Sequence, residues 1–332
     1  RDNLPGTPEG RTAVHPQLAA LADRYWDLLL QSSPTSATLL GDHRFDDRLE
    51  DPSREEEDRL IAALDSLVAE AGAIDPATLD DTDAVTRECL LFEAGTQADH
   101  YRSRYADFLV DPMLGPHMDL ITYIPQLVPV TVEHAAAFVA KASQVGNSFD
   151  HAIDRLRAGV ANGRTPPRVA VEKVLAQLDN YLASPVEKDP FLAIVPPAAM
   201  TAADIAEWRA DMRHQVEAVV RPALTRYREA IAAEVLPAAR PQDKSGICWL
   251  PGGEEDYRRA VQHMIAAEVV GLSQVWLYLR DEYHDARVLL QSEIAALQPR
   301  LAALRERFPH YTPPVLELRR GAGAYICGEE SA

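Results

Sequence analysis

Histidine is the first place to look for chemistry in this chain. Two imidazoles one helical turn apart, with a glutamate between them, can hold a metal ion and activate its bound water. None of the 10 histidines is followed by glutamate, and no two lie three or four residues apart. The sequence-local zinc site of a His-Glu-x-x-His helix is therefore missing. A site assembled from distant residues would draw on positions such as His43, His117 and Asp119, but solvent-facing or core-satisfied histidines are the expectation there. His100, His117, His134 and His151 recur every 17 residues. They fall in different expected elements, and the spacing reads as coincidence.

Other chemistries are also incomplete. A serine-nucleophile elbow needs Gly-x-Ser-x-Gly, and Gly271-Leu272-Ser273-Gln274-Val275 fails at its last position. Gly321-Ala322-Gly323 starts like a dinucleotide fingerprint, yet Ile326 stands where the third glycine belongs. The acidic runs Asp46-Asp47, Glu55-Glu56-Glu57 and Glu254-Glu255 fall at loops or helix starts and are expected to be solvated, as the helix dipole favours. Cys89, Cys248 and Cys327 are too few and too scattered for a disulfide framework or a cluster ligand set, which points to a reducing compartment. Trp26, Trp208, Trp249 and Trp276 are expected to anchor helix packing.

Composition narrows the partners. The 33 basic residues against 51 acidic ones leave a net charge of −18, which repels phosphate backbones and anionic headgroups, so no nucleic acid partner is expected. Apolar runs such as Phe191 to Met200 are broken by proline and fall short of the ~20 residues of a spanning helix, so no membrane insertion is expected. A hydrophobic fraction of 47% supplies a core rather than a disordered chain.

The elements that would position any site are mostly helices. Leu18, Leu21, Ala22, Tyr25, Leu28 and Leu29 keep helical spacing up to Ser32-Ser33-Pro34. Ser53 with Glu56 reads as a capping box opening a helix that stops at Gly72, and Asp80 to Asp83 suit the start of a third, packed antiparallel on the second. Val110 to Val130 is an apolar, irregular connection interrupted by Pro112, Pro116, Pro125 and Pro129. Helical periodicity returns from Thr131 to Val160, halting at Asn162-Gly163. It recurs over Val169 to Leu182 and over Ala202 to Val235, with a kink at Pro222. After Ile265 the pattern changes: strand-forming runs at Val275 to Leu279 and Val315 to Leu318 bracket a polar helix from His284 to about Arg307. Residues 265–332 hold 7 basic and 9 acidic residues, so nearly all the negative charge lies before them. The expected fold class is mainly α: a multi-helical domain over residues 1–264, then a small α/β fragment, strand-helix-strand, over 265–332.

Two resemblances overlay this organisation. The strings Leu40-Gly41-Asp42-His43-Arg44-Phe45-Asp46-Asp47-Arg48-Leu49, Gly115-Pro116-His117-Met118-Asp119-Leu120, Gly163-Arg164-Thr165-Pro166-Pro167-Arg168-Val169, Leu236-Pro237-Ala238-Ala239-Arg240 and Leu250-Pro251-Gly252-Gly253 occur in one order. Over roughly residues 15 to 264 this resembles the bacterial "domain of unknown function 885" family. That resemblance implies a helical, zinc-metallopeptidase-like protein whose His-Glu-x-x-His helix lies in a C-terminal half absent from this sequence. The last 68 residues resemble the NADH- and flavin-binding subunit of respiratory complex I and of NAD-linked formate dehydrogenases. Met264 to Gly271, Leu277 to Tyr283 and above all Arg320 to Ala332 carry that likeness. It implies that the loop Gly328-Glu329-Glu330 would lie against FMN, and that Tyr325 and Glu330 would contact NAD. The glycine-rich flavin loop, the Asn-x-Asp-Glu segment and the cluster cysteines of that family are missing.

The expectation is thus the N-terminal helical portion of a metallopeptidase-like protein of unknown substrate, catalytically incomplete alone. The alternatives are a flavoprotein fragment and a structural helical interaction module. Zinc, or FMN and NAD, would belong to complete relatives, and neither is expected to be bound here. Peptide substrates or oxidoreductase subunits would likewise be partners of complete relatives. A cytoplasmic location is expected, with any export signal lost along with a trimmed N-terminus. The junction near 264 is expected to be a spliced or truncated reading frame rather than a natural fusion. Limited proteolysis should then cut between Gln262 and Ser273 and leave a stable helical fragment; uniform resistance there would argue for one shared core.

Overall fold

The computed structural model describes residues 15–256, the strands Gln274–Arg280 and Val315–Gly321, and helical residues between 288 and 299. The chain divides into two compact units, Arg1–Asp256 and Tyr257–Ala332. It is mainly helical, as its periodicity implies.

Local signals set most helix ends in the first unit. Helix α1 (Pro16–Ser32) ends where expected, but Pro34 also opens α2 (Pro34–Leu39), since a proline ring presets the first helical φ and needs no N–H there. Ser53 caps α3 (Arg54–Gly72) by accepting from the Glu56 N–H at 3.1 Å. The reciprocal half of the capping box is taken by Asp51, which accepts from the Ser53 N–H, while Glu56 pairs with Arg59. Asp80 caps α4 (Asp81–Arg102). Arg87 reaches the carbonyls of Ala71 and Gly72 whereas Arg102 reaches Asp65, so α3 and α4 run antiparallel. Leu18, Leu21, Leu64, Leu67, Leu90 and Ala94 form a core among α1, α3 and α4.

The irregular connection contains a single α-turn, α5 (Pro116–Met118), running into a π turn at Asp119–Tyr123. The expected helix from Thr131 is two: α6 (Val132–Ser143), capped by Thr131, and α7 (Val145–Ala161), meeting at Gln144. Then come α8 (Arg168–Ala183) and a long helical run made of α9 (Ala202–Gln215), α10 (Arg221–Ala230) and α11 (Leu236–Ala238), joined by π turns at Val216–Val220 and Ile231–Val235. The first π turn directly precedes Pro222, whose missing N–H and bulky ring a regular turn would not accommodate. Phe138, Phe149, Val174, Leu178, Met212, Leu224 and Tyr227 form the larger core of this half.

Between the two cores lies a buried ionic network. The Arg155 guanidinium, 3% exposed, donates from Nε to Asp107 and from Nη2 to Glu57, and Arg54 and Arg104 complete the pairing. Glu57 thus departs from the expectation of a solvated acidic run, because it faces α7 rather than water. Gly159 lets α7 approach the Tyr105–Phe108 turn, since a Cβ there would meet the Asp107 carbonyl oxygen at 1.9 Å. Of the tryptophans, Trp208 does anchor packing, donating to the Ala135 carbonyl at 2.8 Å. Trp26 and Trp249 are exposed, Trp249 lying beneath the Lys244 ammonium, so the expectation fails for both. The side chain of Trp276 lies outside the described residues.

In the second unit the strands β1 (Gln274–Arg280) and β2 (Val315–Gly321) pair in parallel, from Gln274 opposite Val315 to Arg280 opposite Gly321. Of the expected strand-helix-strand fragment, the described residues supply these two strands and the helical residues between 288 and 299.

Removing Asp107 would strand a buried guanidinium. Asp107→Ala is expected to cost about 3–5 kcal/mol of unfolding free energy, measured by urea denaturation. A loss below about 1 kcal/mol, the worth of an exposed pair, would show that the network is solvent-screened.

Candidate functional site

The segment 40–50 folds into a compact hook after α2. Gly41 takes φ +86°, a left-handed turn that favours glycine, and Asp42 caps the turn His43–Phe45 by accepting from the Arg44 N–H. The Asp46 carboxylate, 2% exposed, is held through both oxygens: Thr38 donates to Oδ1 at 2.6 Å, and His43 Nδ1 lies 2.8 Å from Oδ2. Asp46 too is therefore buried rather than solvated. Glu50 accepts from the N–H and hydroxyl of Thr35 at the start of α2.

Helices α6 and α7 then hold the hook. At their junction Gln144 accepts from the Leu49 N–H and donates to the Asp47 carbonyl, and Ser148 donates to the Glu50 carbonyl. Near the start of α6 the His134 ring stacks on His43, with centroids 4.1 Å apart and 18° between planes. Two helical turns further along α6 is Lys141, 2% exposed, whose Nζ has no hydrogen-bond partner among the described residues. Burial pushes its amine below the usual lysine range, opposed by the charges of Glu50, Asp46 and Asp47.

Asp119, from the second motif, lies within electrostatic reach of Glu50. It is solvent-accessible yet crowded by protein atoms. Desolvation first, and the Glu50 charge second, raise its pKa to about 6. His117 plays another part. It is fully buried, hydrogen-bonds Gln177 at 2.9 Å, and is held below the usual histidine range by burial. With Gln177 bonded in turn to the Pro112 carbonyl, His117 ties the irregular connection to α8. Gly115 permits this, because a Cβ there would meet the His117 ring at 2.9 Å. The partner of His43 is thus His134, not His117, and the assembly considered from sequence does not form.

The remaining motifs converge elsewhere. Arg164 donates to the carbonyls of Ser103 and Pro251 and pairs with Asp256, while Arg240 donates to Thr165 and Gly246 and bridges Pro167 through its backbone. Both guanidinium groups are occupied by backbone carbonyls, so this cluster is a structural clasp. A cleft of ≈ 410 Å³ opens beside the hook, with Arg48, Glu50, Arg59, Tyr101, Tyr105 and Arg155 among its walls. Exposed Leu39 and Leu40 precede His43, and exposed Val128, Val130 and Val132 precede His134. Tyr325, Gly328, Glu329 and Glu330, the residues that the flavoprotein resemblance would place at FMN and NAD, lie outside the described residues.

A multi-helical body with a cluster of titratable side chains, and among its described residues no helix long and apolar enough to cross a membrane, defines the class. The chain belongs to the family described as bacterial protein of unknown function (DUF885), matched over residues 34–313. The match continues past residue 264 into the second unit. Among solved structures the chain is similar to "the putative lipoprotein from Colwellia psychrerythraea", with 19% sequence identity and a TM-score of 0.65. That likeness covers 90% of this chain and 52% of that one, so the chain spans about half the length of that protein. No curated protein matches.

Asp119 gives the site a pH signature. Its native pKa of about 6 lies above the usual aspartate range, so its contribution to stability is full below about pH 4 and is lost as pH rises through about 6. Asp119→Asn should therefore stabilise the protein at pH 7.5 by about 1 kcal/mol, a figure discounted for solvent access, with the gain vanishing below about pH 4. A gain independent of pH in thermal melts would refute this account.

Proposed function

We propose that this chain is the helical, substrate-walling portion of a metallopeptidase-like protein of unknown substrate, catalytically incomplete as it stands. The observation that carries the reading is the cluster of titratable side chains at the hook. Residues of two family motifs approach one another there, Asp119 lying within electrostatic reach of Glu50, and Glu50 also lines an open cleft. The hook's carboxylates suit the cationic groups of a peptide, Arg48 and Arg59 on the cleft walls suit its carboxylates, and the exposed leucines and valines nearby suit its apolar side chains. The zinc implied by the family resemblance does not fit the helices described. Of these, α4, α5, α6, α7 and α9 carry one histidine each, so none presents two imidazoles a turn apart. No catalytic step is assigned through it. A reducing, cytoplasmic location belongs to the same reading, and the free, exposed thiols of Cys89 and Cys248 are compatible with it.

Fluorescently labelled peptides, titrated into the chelator-treated chain and followed by anisotropy and mass spectrometry, test the proposal. Binding without cleavage is expected, weakened about tenfold by Asp119→Ala, a change of about 1.4 kcal/mol. Cleavage by the chain alone, or no binding up to millimolar peptide, would overturn it.

A second reading is the flavoprotein fragment, with which the parallel pairing of β1 and β2 is compatible, although the family match runs through β1 to residue 313. Without a glycine-rich loop to present N–H groups to the flavin phosphate, Glu329 and Glu330 would repel it. No saturable FMN or NADH binding is expected in a fluorescence titration. Micromolar binding weakened by Glu330→Ala or Tyr325→Ala would put the oxidoreductase reading first.

A further inference from the structure

The sequence places no two histidines a turn apart, but the fold brings two together from separate elements. We propose that His43, Asp46 and His134 form a binding site for one divalent first-row transition ion, distinct from any helix-borne peptidase motif. One ring nitrogen from each histidine and one Asp46 oxygen all lie within 4.8 Å of one another. Among the described residues this is the group of three such donors that could hold an ion.

Three features go beyond mere proximity. The donor set is two imidazoles and one carboxylate, which suits zinc, cobalt or nickel and disfavours calcium and magnesium, whose ligands are all oxygen. Asp46 is preorganised: it is buried, and its second oxygen is fixed by Thr38, so the carboxylate cannot swing out to water. His43 Nδ1 and Asp46 Oδ2 already face each other at 2.8 Å, and an ion would take the place of the proton they share. Metal–ligand bonds of ~2.0 Å in a tetrahedral array put neighbouring donors about 3.3 Å apart. Both rings are only part-buried and can turn to reach that spacing. The same exposure leaves water a route to the remaining coordination position.

The surrounding charge bears on the sign of the effect. Asp47 and Glu50 add negative potential, whereas Lys141 opposes a cation. Lys141 is buried without a hydrogen-bond partner for Nζ, so its ammonium form is the poorly solvated one. Arg44 is engaged by Asp27 and Asp42 and does not compete for Asp46. A purely structural stack, with His43 serving only as a hydrogen-bond partner of the buried Asp46, would account for the same contacts and would bind no ion.

The test uses the full chain, stripped with a chelator and titrated with Zn2+ by calorimetry and with Co2+ by visible absorption. One ion per chain is expected, with ligand-field bands from Co2+. His134→Ala should weaken binding at least tenfold, and Asp46→Asn about 10- to 100-fold, as loss of a ligand or its orienting carboxylate does. Circular dichroism checks that each variant is folded. His134 is part-buried and outside the cores, so His134→Ala remains decisive should Asp46→Asn unfold. Absence of binding, or affinity unchanged in folded His134→Ala, would overturn the proposal, including the case of an ion held elsewhere in the chain. The peptide assay above is run in chelator, so the two readings fail separately.

Discussion

The helical unit depends on one guanidinium. Arg155 sits on α7 between the two hydrophobic cores and spends its donors on Asp107, Glu57 and the Pro52 carbonyl. Charges so buried recover their desolvation cost only when geometry and hydrogen bonding are nearly complete. Here they are, because Arg54 also donates to Asp107 and Arg104 pairs with Glu57. Arg104 holds a left-handed backbone, φ 52°, unusual for a side chain with a Cβ; its ion pairs with Glu57 and Asp58 offset that strain. An apolar contact between the cores would be non-directional, whereas this network fixes how α3, α7 and the Tyr105–Phe108 turn meet.

The site inherits its geometry from that network. The Pro52 carbonyl that Arg155 grips lies two residues beyond Glu50, and Asp51, between them, pairs with His151 on α7. The C-terminal end of the hook is thus pinned to α7, its middle to Gln144, and its start to α2 through Thr38 and Asp46. Three anchors, on α2, on α7 and at the α6–α7 junction, hold a segment with little regular structure of its own. The His43 ring can then meet His134 without either residue lying on a shared element.

Helix ends were legible in the sequence because capping is local: Ser53, Asp80 and Thr131 each bond an N–H three residues ahead. The split at Gln144 was not, since apolar periodicity runs on through it and the break serves a tertiary purpose, presenting a side chain to Leu49 and Asp47. Within the site, His43 and Asp119 stood out through their motifs, while His134 was dismissed with the 17-residue series. The series itself has no common role: His117 is buried on Gln177, His134 stacks on His43, and His151 pairs with Asp51. Lys141 gave no signal at all. A lysine in an alanine-rich helix reads as solvated, and only the hook folding over it makes it buried. Asp46 and Glu57 were misjudged for the same reason, because the partners that draw them inward are distant in sequence or lie across the fold.

Lys141 and its neighbours set the charge balance beneath the hook. A buried amine without a hydrogen bond is unfavourable as an ammonium, and the carboxylates of Asp46, Asp47 and Glu50 only partly offset its desolvation. Asp46 and Glu50 are themselves committed to Thr38, His43 and Thr35, so they cannot turn to meet it. Asp119 adds a further carboxyl whose ionisation is resisted by burial and by Glu50. Asp46 and Glu50 are fixed by hydrogen bonds, while exposed Asp47 lies beside Arg48. The bonds that rigidify the hook therefore keep its two best-held carboxylates from turning to solvate the Lys141 amine, and burial of that amine is the consequence of the hook's own geometry.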